Sequence, residues 1–391
     1  MKRISRSLTT LVLLSALAGM LRWPQAAADA AREGLALCAG VVVPALFPFF
    51  VLASLAVSLG MAQLLGAALA PALGPLFRVS RAGVGALALG LVGGYPVGVR
   101  AVRQLYQEGQ CSRGEAERLL TFCNNCGPAF LLGAAGAGVF GSTRAGLLLL
   151  AGHWLGACSV GALSRFSGEA PTQTAAPAPS IRGVSLASAF TGAVQSAVQS
   201  TLNVCGYVVL FRVLLRFLTL TGLLDGCAAL PNGQALAWGL LETTSGVSAL
   251  EPGRSFTGAM VCGAFLMAFG GLSVQCQTLA LLEGSGLDPR PALVGKLAHG
   301  GCVALWTWAL LRLFPLSVET MTSGVPARMW VRLPLAVTGG AWAAFLLALV
   351  WFGRGAADRA DAGWQCKKEK SKTRKREQTS ENTRKQEKIY R

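Results

Sequence analysis

Long stretches without a charged residue constrain this chain more than any other feature of its sequence. They include residues 34–77, 119–143, 145–164, 255–282 and 333–353. Each is long enough to cross the hydrocarbon core of a bilayer, which takes roughly 20 predominantly apolar residues in a helix. Their hydrophobic residues run continuously and do not alternate, which disfavours a β-barrel. We therefore expect an all-α, polytopic integral membrane protein with a multi-pass location in the cell membrane.

The composition agrees with this class and bears on the partners of the protein. Of the 391 residues, 53% are hydrophobic and 14% are charged, a balance unlike that of a soluble domain. The net charge of +17 is typical of nucleic-acid binding proteins, but it is equally typical of membrane proteins whose cytoplasmic loops collect Lys and Arg. We favour the second interpretation, with the lipid bilayer as a partner and no nucleic acid. The oligomeric state is left open, a homo-oligomer included.

The cysteines and the absence of catalytic motifs argue against metal, cofactor or enzyme chemistry. Most of the eleven Cys lie inside apolar stretches, where they resemble small packed hydrophobes. Cys123 and Cys126 have C-x-x-C spacing, but no second such pair and no nearby His supports a zinc site. The sequence contains no P-loop and no visible nucleophile–base pair. We expect no enzyme activity, no cofactor and no metal.

Breaks in composition divide the chain into five segments. Residues 1–30 form a first membrane helix or signal-anchor, for which a cleavable signal peptide is the alternative. Residues 167–183, rich in Pro, Ala and Thr, are a linker between two membrane repeats at residues 31–166 and 184–352. Residues 353–391 carry a net charge of +7 and form a basic tail that we expect to be disordered and cytoplasmic.

The two predicted repeats align at three separate points, in the same order. The pairs are Gly90-Leu91 with Gly239-Leu240, Phe122 with Phe269, and His153 with His299, at separations of 149, 147 and 146 residues. Similarity between apolar helices explains one match by chance but three in order poorly. We interpret the chain as two inverted repeats that arose by duplication.

Each repeat also contains two stretches, called its first and second breaks, that interrupt an apolar helix: 93–96 and 124–128 in the first repeat, and 242–246 and 270–273 in the second. In lipid, unwound backbone survives only inside the protein or beside a water-filled cavity, and matched breaks in two repeats indicate a transporter binding site. Where a helix resumes after such a stretch, its N-terminus has free N–H groups and a partial positive charge, which favour an anion. The predicted solute-binding residues are Gly93, Gly94, Tyr95, Pro96, Asn124, Asn125, Gly127 and Pro128 in the first repeat, and Thr243, Thr244, Ser245, Gly270, Gly271, Ser273 and Gln275 in the second.

Three of the polar features have two interpretations each. Asn124 and Asn125 either line the solute site or bond neighbouring helices together, as polar residues do in bundles. Glu242 either binds a coupling ion inside the membrane, where an acid is expensive, or lies in a loop near the interface. The two His residues, taken singly, are better explained by helix packing than by titration.

Three motifs resemble one known family. "GGYPVGVRAVRQL" at 93–105, "EAERLLTFCNNCGPAFLLGAAGAGVFGS" at 115–142 and "GLLETTSGV" at 239–247 are similar to the sporulation integral membrane protein YlbJ family. That family groups with nucleoside-recognition, or Gate, domain proteins, whose fold resembles concentrative nucleoside transporters. The resemblance runs from about residue 31 to 352 and leaves out the basic tail.

The resemblance implies a function in endospore formation. It implies a location in the outer forespore membrane and transport of dipicolinate, a small aromatic dianion, by alternating access. A nucleoside-type transporter and a non-transporting membrane assembly factor are the alternatives. In each transport case the partner is a small-molecule solute.

Overall fold

A computed structural model describes residues 2–166 and 185–316 of the chain. The predicted linker at 167–183, the last predicted span at 333–353 and the basic tail at 353–391 lie outside these residues. Every regular element in the two described ranges is helical. Together with the apolar spans below, this confirms the predicted all-α class.

The first described range holds eight α-helices and two π-helical segments, at Cys38–Val42 and Phe130–Val139. The α-helices are α1 Lys2–Arg22, α2 Pro24–Leu37, α3 Val43–Ser58, α4 Met61–Phe77, α5 Arg81–Gly93, α6 Val97–Gln107, α7 Arg113–Leu120 and α8 Thr143–Ser164.

The second described range holds seven α-helices, of which the first is the longest. They are α9 Leu186–Leu220, α10 Asp225–Ala228, α11 Gly233–Leu241, α12 Thr243–Ser248, α13 Phe256–Phe269, α14 Gly271–Leu282 and α15 Arg290–Leu313.

Four helical paths in the described residues are long and apolar enough to cross a membrane: Pro24–Ser58, Thr143–Ser164, Leu186–Leu220 and Phe256–Leu282. A fifth counts if α4 and α5, which bend by 100° at the intervening turn, form one broken span. These spans make the protein a multi-pass membrane protein, as predicted.

The π-helical segment before α3 lets the first of these spans pass through a proline. Pro44 has no backbone N–H, and its ring would clash with a carbonyl one helical turn earlier. A local wide turn, in which Val43 N–H donates to the Cys38 carbonyl oxygen, relieves this conflict. The helical path therefore continues from Pro24 to Ser58, and the predicted segment boundary at residues 30 and 31 falls within α2.

Serine hydroxyls begin many of the helices. In each case the side chain at the N-cap accepts a hydrogen bond from the N–H three residues later and so satisfies one of the exposed donors of the first turn. The capping serines are Ser80, Ser112, Ser142, Ser185 and Ser255. Ser112 and Glu115 have the spacing of a capping box, but the Glu115 carboxylate accepts from the Ser80 N–H and therefore does not complete one.

Two long helices, α8 and α15, pack closely through small residues. A side chain at Gly156 would overlap Val303, and one at Gly152 would lie 2.7 Å from the Thr307 hydroxyl oxygen. This approach brings His153 and His299 together, with ring centroids 4.7 Å apart in an edge-to-face arrangement. Both rings are buried, so the packing interpretation of the two His residues agrees with their surroundings.

The described elements follow one order in both halves. The order is a helix that ends in the Gly-Leu motif, then a short helix, then the second break of that half, and then a long helix that contains a His. In the first half these are α5, α6, the break after α7, and α8; in the second they are α11, α12, the break after α13, and α15.

Candidate functional site

Breaks from both halves meet around one buried pocket. From the first half, Gly93, Gly94, Tyr95 and Gly127 line it. From the second half, the lining residues at the breaks are Glu242, Thr243, Thr244 and Ser273. The predicted breaks are therefore neighbours in space, although they lie far apart in the sequence.

In the first half, the two breaks pack against each other through two glycines, Gly94 and Gly127. Gly94 has a φ of +72°, a conformation that residues with a Cβ rarely adopt. A Cβ on Gly94 would also lie 2.8 Å from the Gly127 backbone nitrogen and Cα. Only glycine at position 94 permits both the turn and this contact between the two unwound segments.

Side chains satisfy the unwound backbone that follows α7. The Asn125 amide donates to the Phe122 carbonyl oxygen at 3.0 Å, and the Lys296 ammonium donates to the Asn124 carbonyl oxygen at 2.7 Å. The Cys126 N–H donates to His153 Nε2 at 3.0 Å. Two carbonyl oxygens and one N–H of this break thus have a side-chain partner, which a membrane interior without water requires.

The two amide side chains of the Asn pair make different contacts. Asn124 Nδ2 donates to the Thr278 hydroxyl on α14 at 3.1 Å, so it joins the break of the first half to a helix of the second. Asn125 bonds within its own break. Both side chains are buried, and neither lines the pocket. Their amide oxygens have no hydrogen-bond partner in the described part of the chain.

Glu242 is buried in the pocket wall, with 3% of its surface exposed. Its two carboxylate oxygens accept from the N–H groups of Thr244 and Ser245, at 2.8 and 2.6 Å. The carboxylate therefore caps α12 and occupies the positive end of that helix.

The second break of the second half is much shorter than its counterpart. Gly270 and Gly271 both have positive φ values, of +86° and +65°, and the helix resumes at once as α14. The first turn of α14 has no side-chain cap, and Ser273 from this turn lines the pocket. Gln275 turns back and donates to the Phe269 carbonyl oxygen at 2.8 Å.

The predicted solute-binding residues thus fall into two groups. Those lining the pocket are Gly93, Gly94, Tyr95, Gly127, Thr243, Thr244 and Ser273, with the predicted ion-binding Glu242. Those outside the lining are Pro96, Asn124, Asn125, Pro128, Ser245, Gly270, Gly271 and Gln275.

Sequence reasoning missed two components of this region. The first is the aromatic wall that Phe49, Phe50, Phe130 and Tyr207 form together with the predicted Tyr95. The second is Lys296, whose Nζ lies 5.7 Å from the centroid of the Tyr95 ring. The signal for Lys296 was available, since a single Lys in the middle of an apolar helix is costly and usually functional.

The cavity within the pocket is small, about 30 Å³, which is too little room for an aromatic ring. An aromatic solute therefore enters only when the walls move apart. Aromatic faces, backbone groups at helix breaks and a few hydroxyls can bind a small ring with polar substituents.

These features define a class: a polytopic helical membrane protein in which broken helices converge on a small aromatic-walled pocket. Residues 39–143 match the family described as Nucleoside recognition, or Gate. The chain is 30% identical over 341 residues to sporulation integral membrane protein YlbJ of Bacillus subtilis (strain 168), covering 79% of this chain and 84% of that protein. The chain belongs to the YlbJ family. No solved structure matches it.

Proposed function

We propose that this protein transports a small anionic aromatic solute across a membrane during endospore formation. The observation that carries the proposal is the convergence of breaks from both halves of the chain on one buried pocket. Broken helices whose ends meet at a shared site are characteristic of secondary transporters. No covalent chemistry is involved.

The pocket walls support an aromatic solute with a negative charge. Tyr95, Phe49 and Phe130 offer ring faces for stacking. The N-terminus of α14, which no side chain caps, offers backbone N–H groups beside Ser273. The N-terminus of α12 is already occupied by Glu242, so we assign the anionic group of the solute to α14. Dipicolinate, implied by the family resemblance, has this chemistry.

Alternating access supplies the route in and out of the closed pocket. If the two halves are inverted repeats, opening toward one side of the membrane is matched by closure on the other. Glu242 remains our proposed ion-binding residue, because it is a buried acid in the pocket wall. The Asn pair, Gln275 and the remaining predicted residues would then support the breaks from behind the lining.

The biological setting is proposed from the relative. The similar B. subtilis protein is described as a sporulation integral membrane protein. We extend that role to this chain and place it in the outer forespore membrane, with the lipid bilayer and a small-molecule solute as its partners and a homo-oligomer as one arrangement.

A binding assay on the purified full-length protein tests the proposal. We expect dipicolinate to bind in isothermal titration calorimetry, and labelled dipicolinate to enter proteoliposomes containing the protein. Ser273→Leu, which fills the pocket beside the α14 N-terminus, should abolish both signals. Leu147→Ala, on the exposed face of α8, is the matched control and should change neither.

Two other functions make different predictions in the same assay. The match to the nucleoside-recognition family favours a nucleoside transporter, which would bind uridine or adenosine in preference to dipicolinate. A membrane assembly factor would bind neither solute while remaining folded and inserted. Either result would overturn the proposed substrate, and the second would overturn transport altogether.

A further inference from the structure

Lys296 is a buried cation without an acidic partner. It lies on α15 with 2% of its surface exposed. Of the ion pairs in the described residues, none includes Lys296. An unpaired ammonium inside a membrane protein is costly, so its position calls for a compensating interaction.

The compensation comes from the two unwound segments of the first half. Lys296 donates to the Asn124 carbonyl oxygen at 2.7 Å, and its Nζ lies 5.7 Å from the Tyr95 ring centroid, within the range of cation–π attraction. Asn124 belongs to the break after α7 and Tyr95 to the break after α5. One ammonium thus contacts both breaks.

Close packing of α15 explains how the ammonium reaches this place. Gly295, next to Lys296, lies directly against the backbone of Thr121, where a Cβ would come within 2.5 Å of the Thr121 Cα. Only a glycine permits this approach. The neighbouring Lys side chain is then held beside the unwound backbone.

The first half needs this cation more than the second. Its second break leaves helical geometry from Thr121 to Gly127, whereas the second half turns at Gly270 alone before α14 begins. At the position 146 residues before Lys296, in α8, the chain carries Leu150. The charged side chain therefore lies at the longer of the two breaks, which has more carbonyl groups outside helical hydrogen bonds.

Unwound carbonyl groups at helix breaks are the groups with which secondary transporters bind Na⁺ and other coupling cations. We infer that the Lys296 ammonium is a built-in cation, which occupies the place of a bound monovalent cation and holds the two unwound segments of the first half together. Lys296 is therefore a positioning residue for the pocket. If the proposed transport function holds, solute binding by the wild type needs neither Na⁺ nor K⁺ at this break.

Chemical rescue of a cavity variant tests the inference without any solute. Lys296→Ala removes the three terminal carbons and Nζ, which together correspond to n-propylammonium. We expect this variant of the full-length protein in detergent to have a lowered melting temperature. n-Propylammonium chloride should restore it toward the wild-type value, whereas choline chloride at the same ionic strength should not.

Lys296→Met is the matched control, because it removes the charge but leaves no room for the amine. Its melting temperature should be lowered and should not respond to n-propylammonium. Equal responses of the Ala and Met variants, or no response from either, would overturn the inference. So would a rise in melting temperature with Na⁺ or K⁺, but not with choline, in the Glu242→Gln variant, which lacks the carboxylate of the proposed coupling-ion site.

A further variant keeps the test decisive if Lys296→Ala does not fold. Lys296→Arg retains a cation that can reach the Asn124 carbonyl, so it should be more stable than Lys296→Met. A Met variant as stable as the Arg variant would show that the charge is unnecessary. Because melting is measured without solute, failure here is separate from failure of the proposed transport function.

Discussion

At the residue scale, the polar side chains around the pocket act largely on the backbone. Asn125, Lys296 and His153 each bond a backbone group of the break after α7. Glu242 does the same at the start of α12. In a medium without water, these contacts keep each break in one conformation. The shape of the pocket therefore depends on side chains that do not all line it.

Asn125→Leu tests this role at one position. The substitution keeps the branched shape of the side chain but replaces the amide with methyl groups, so the Phe122 carbonyl oxygen loses its donor. Loss of one partner from a buried hydrogen bond costs about 1–3 kcal/mol, so the melting temperature in detergent should fall. A variant with normal melting that no longer binds solute would instead place Asn125 in the solute site.

Glu242→Gln tests the buried acid. We expect uptake into proteoliposomes to lose its dependence on an ion gradient while the protein still inserts. The carboxylate accepts two hydrogen bonds from the start of α12, but the amide of Gln has only one oxygen, so one of the two should weaken. We expect this to lower the free energy of unfolding by about 1 kcal/mol. Glu251→Gln, at an exposed acid, is the control. Normal ion-driven uptake by the Glu242 variant would remove this residue from the coupling mechanism.

At the element scale, close backbone contacts fix how the breaks pack. Gly90 of α5 and Gly98 of α6 both lie against the Cys123 carbonyl oxygen, where a Cβ on either would overlap it. In the second half, Gly246 of α12 lies in the same way against Gly239 of α11. In each half, a pair of glycines thus allows a short helix to pack closely against the helix that precedes it.

Gly98→Ala should disturb this packing. The added methyl forces α6 away from the break after α7, and overpacking of this kind costs about 1–3 kcal/mol or more. Gly192→Ala in α9 is the matched control, since a Cβ there meets no atom within 4 Å. It should leave stability unchanged or raise it by up to about 1 kcal/mol. Equal melting temperatures for the two variants would contradict the packing argument.

At the scale of the whole molecule, two halves with the same order of elements contribute complementary parts to one pocket. The first supplies glycine-rich backbone and most of the aromatic side chains, and the second supplies Tyr207, Glu242, Thr243, Thr244 and Ser273. The contact between Asn124 and Thr278 joins them. The transport that we propose would require this joint to open and close, so each half would have to keep its own shape while the distance between the halves changes.

The basic tail should be dispensable for that movement. Residues 353–391 carry a net charge of +7 and few apolar residues, which favours a surface role near anionic lipid. A protein truncated after residue 352 should insert normally and take up labelled solute at the wild-type rate. Normal protein levels with lost uptake would instead favour the assembly-factor function, in which the tail recruits a partner.

The sequence by itself determined the class of the protein and the positions of its breaks. Uncharged apolar runs longer than a bilayer is thick leave few alternatives to membrane helices, and Gly-Gly, Gly-Pro and clustered polar residues mark where a helix cannot continue. These signals are local. They placed GGYP, Asn124 to Pro128, Glu242 and Gly270 at breaks without any knowledge of the fold.

Only the tertiary structure decided which groups meet at those breaks. Lys296 is 172 residues from its partner Asn124 along the sequence, and the residues around neither of them predict that contact. The same holds for Cys126 and His153, and for the aromatic wall contributed by α3 and α9. Contact between distant segments depends on helix packing, which here is set by glycines that allow backbones to approach. A periodic apolar sequence specifies that helices pack, but not which faces do.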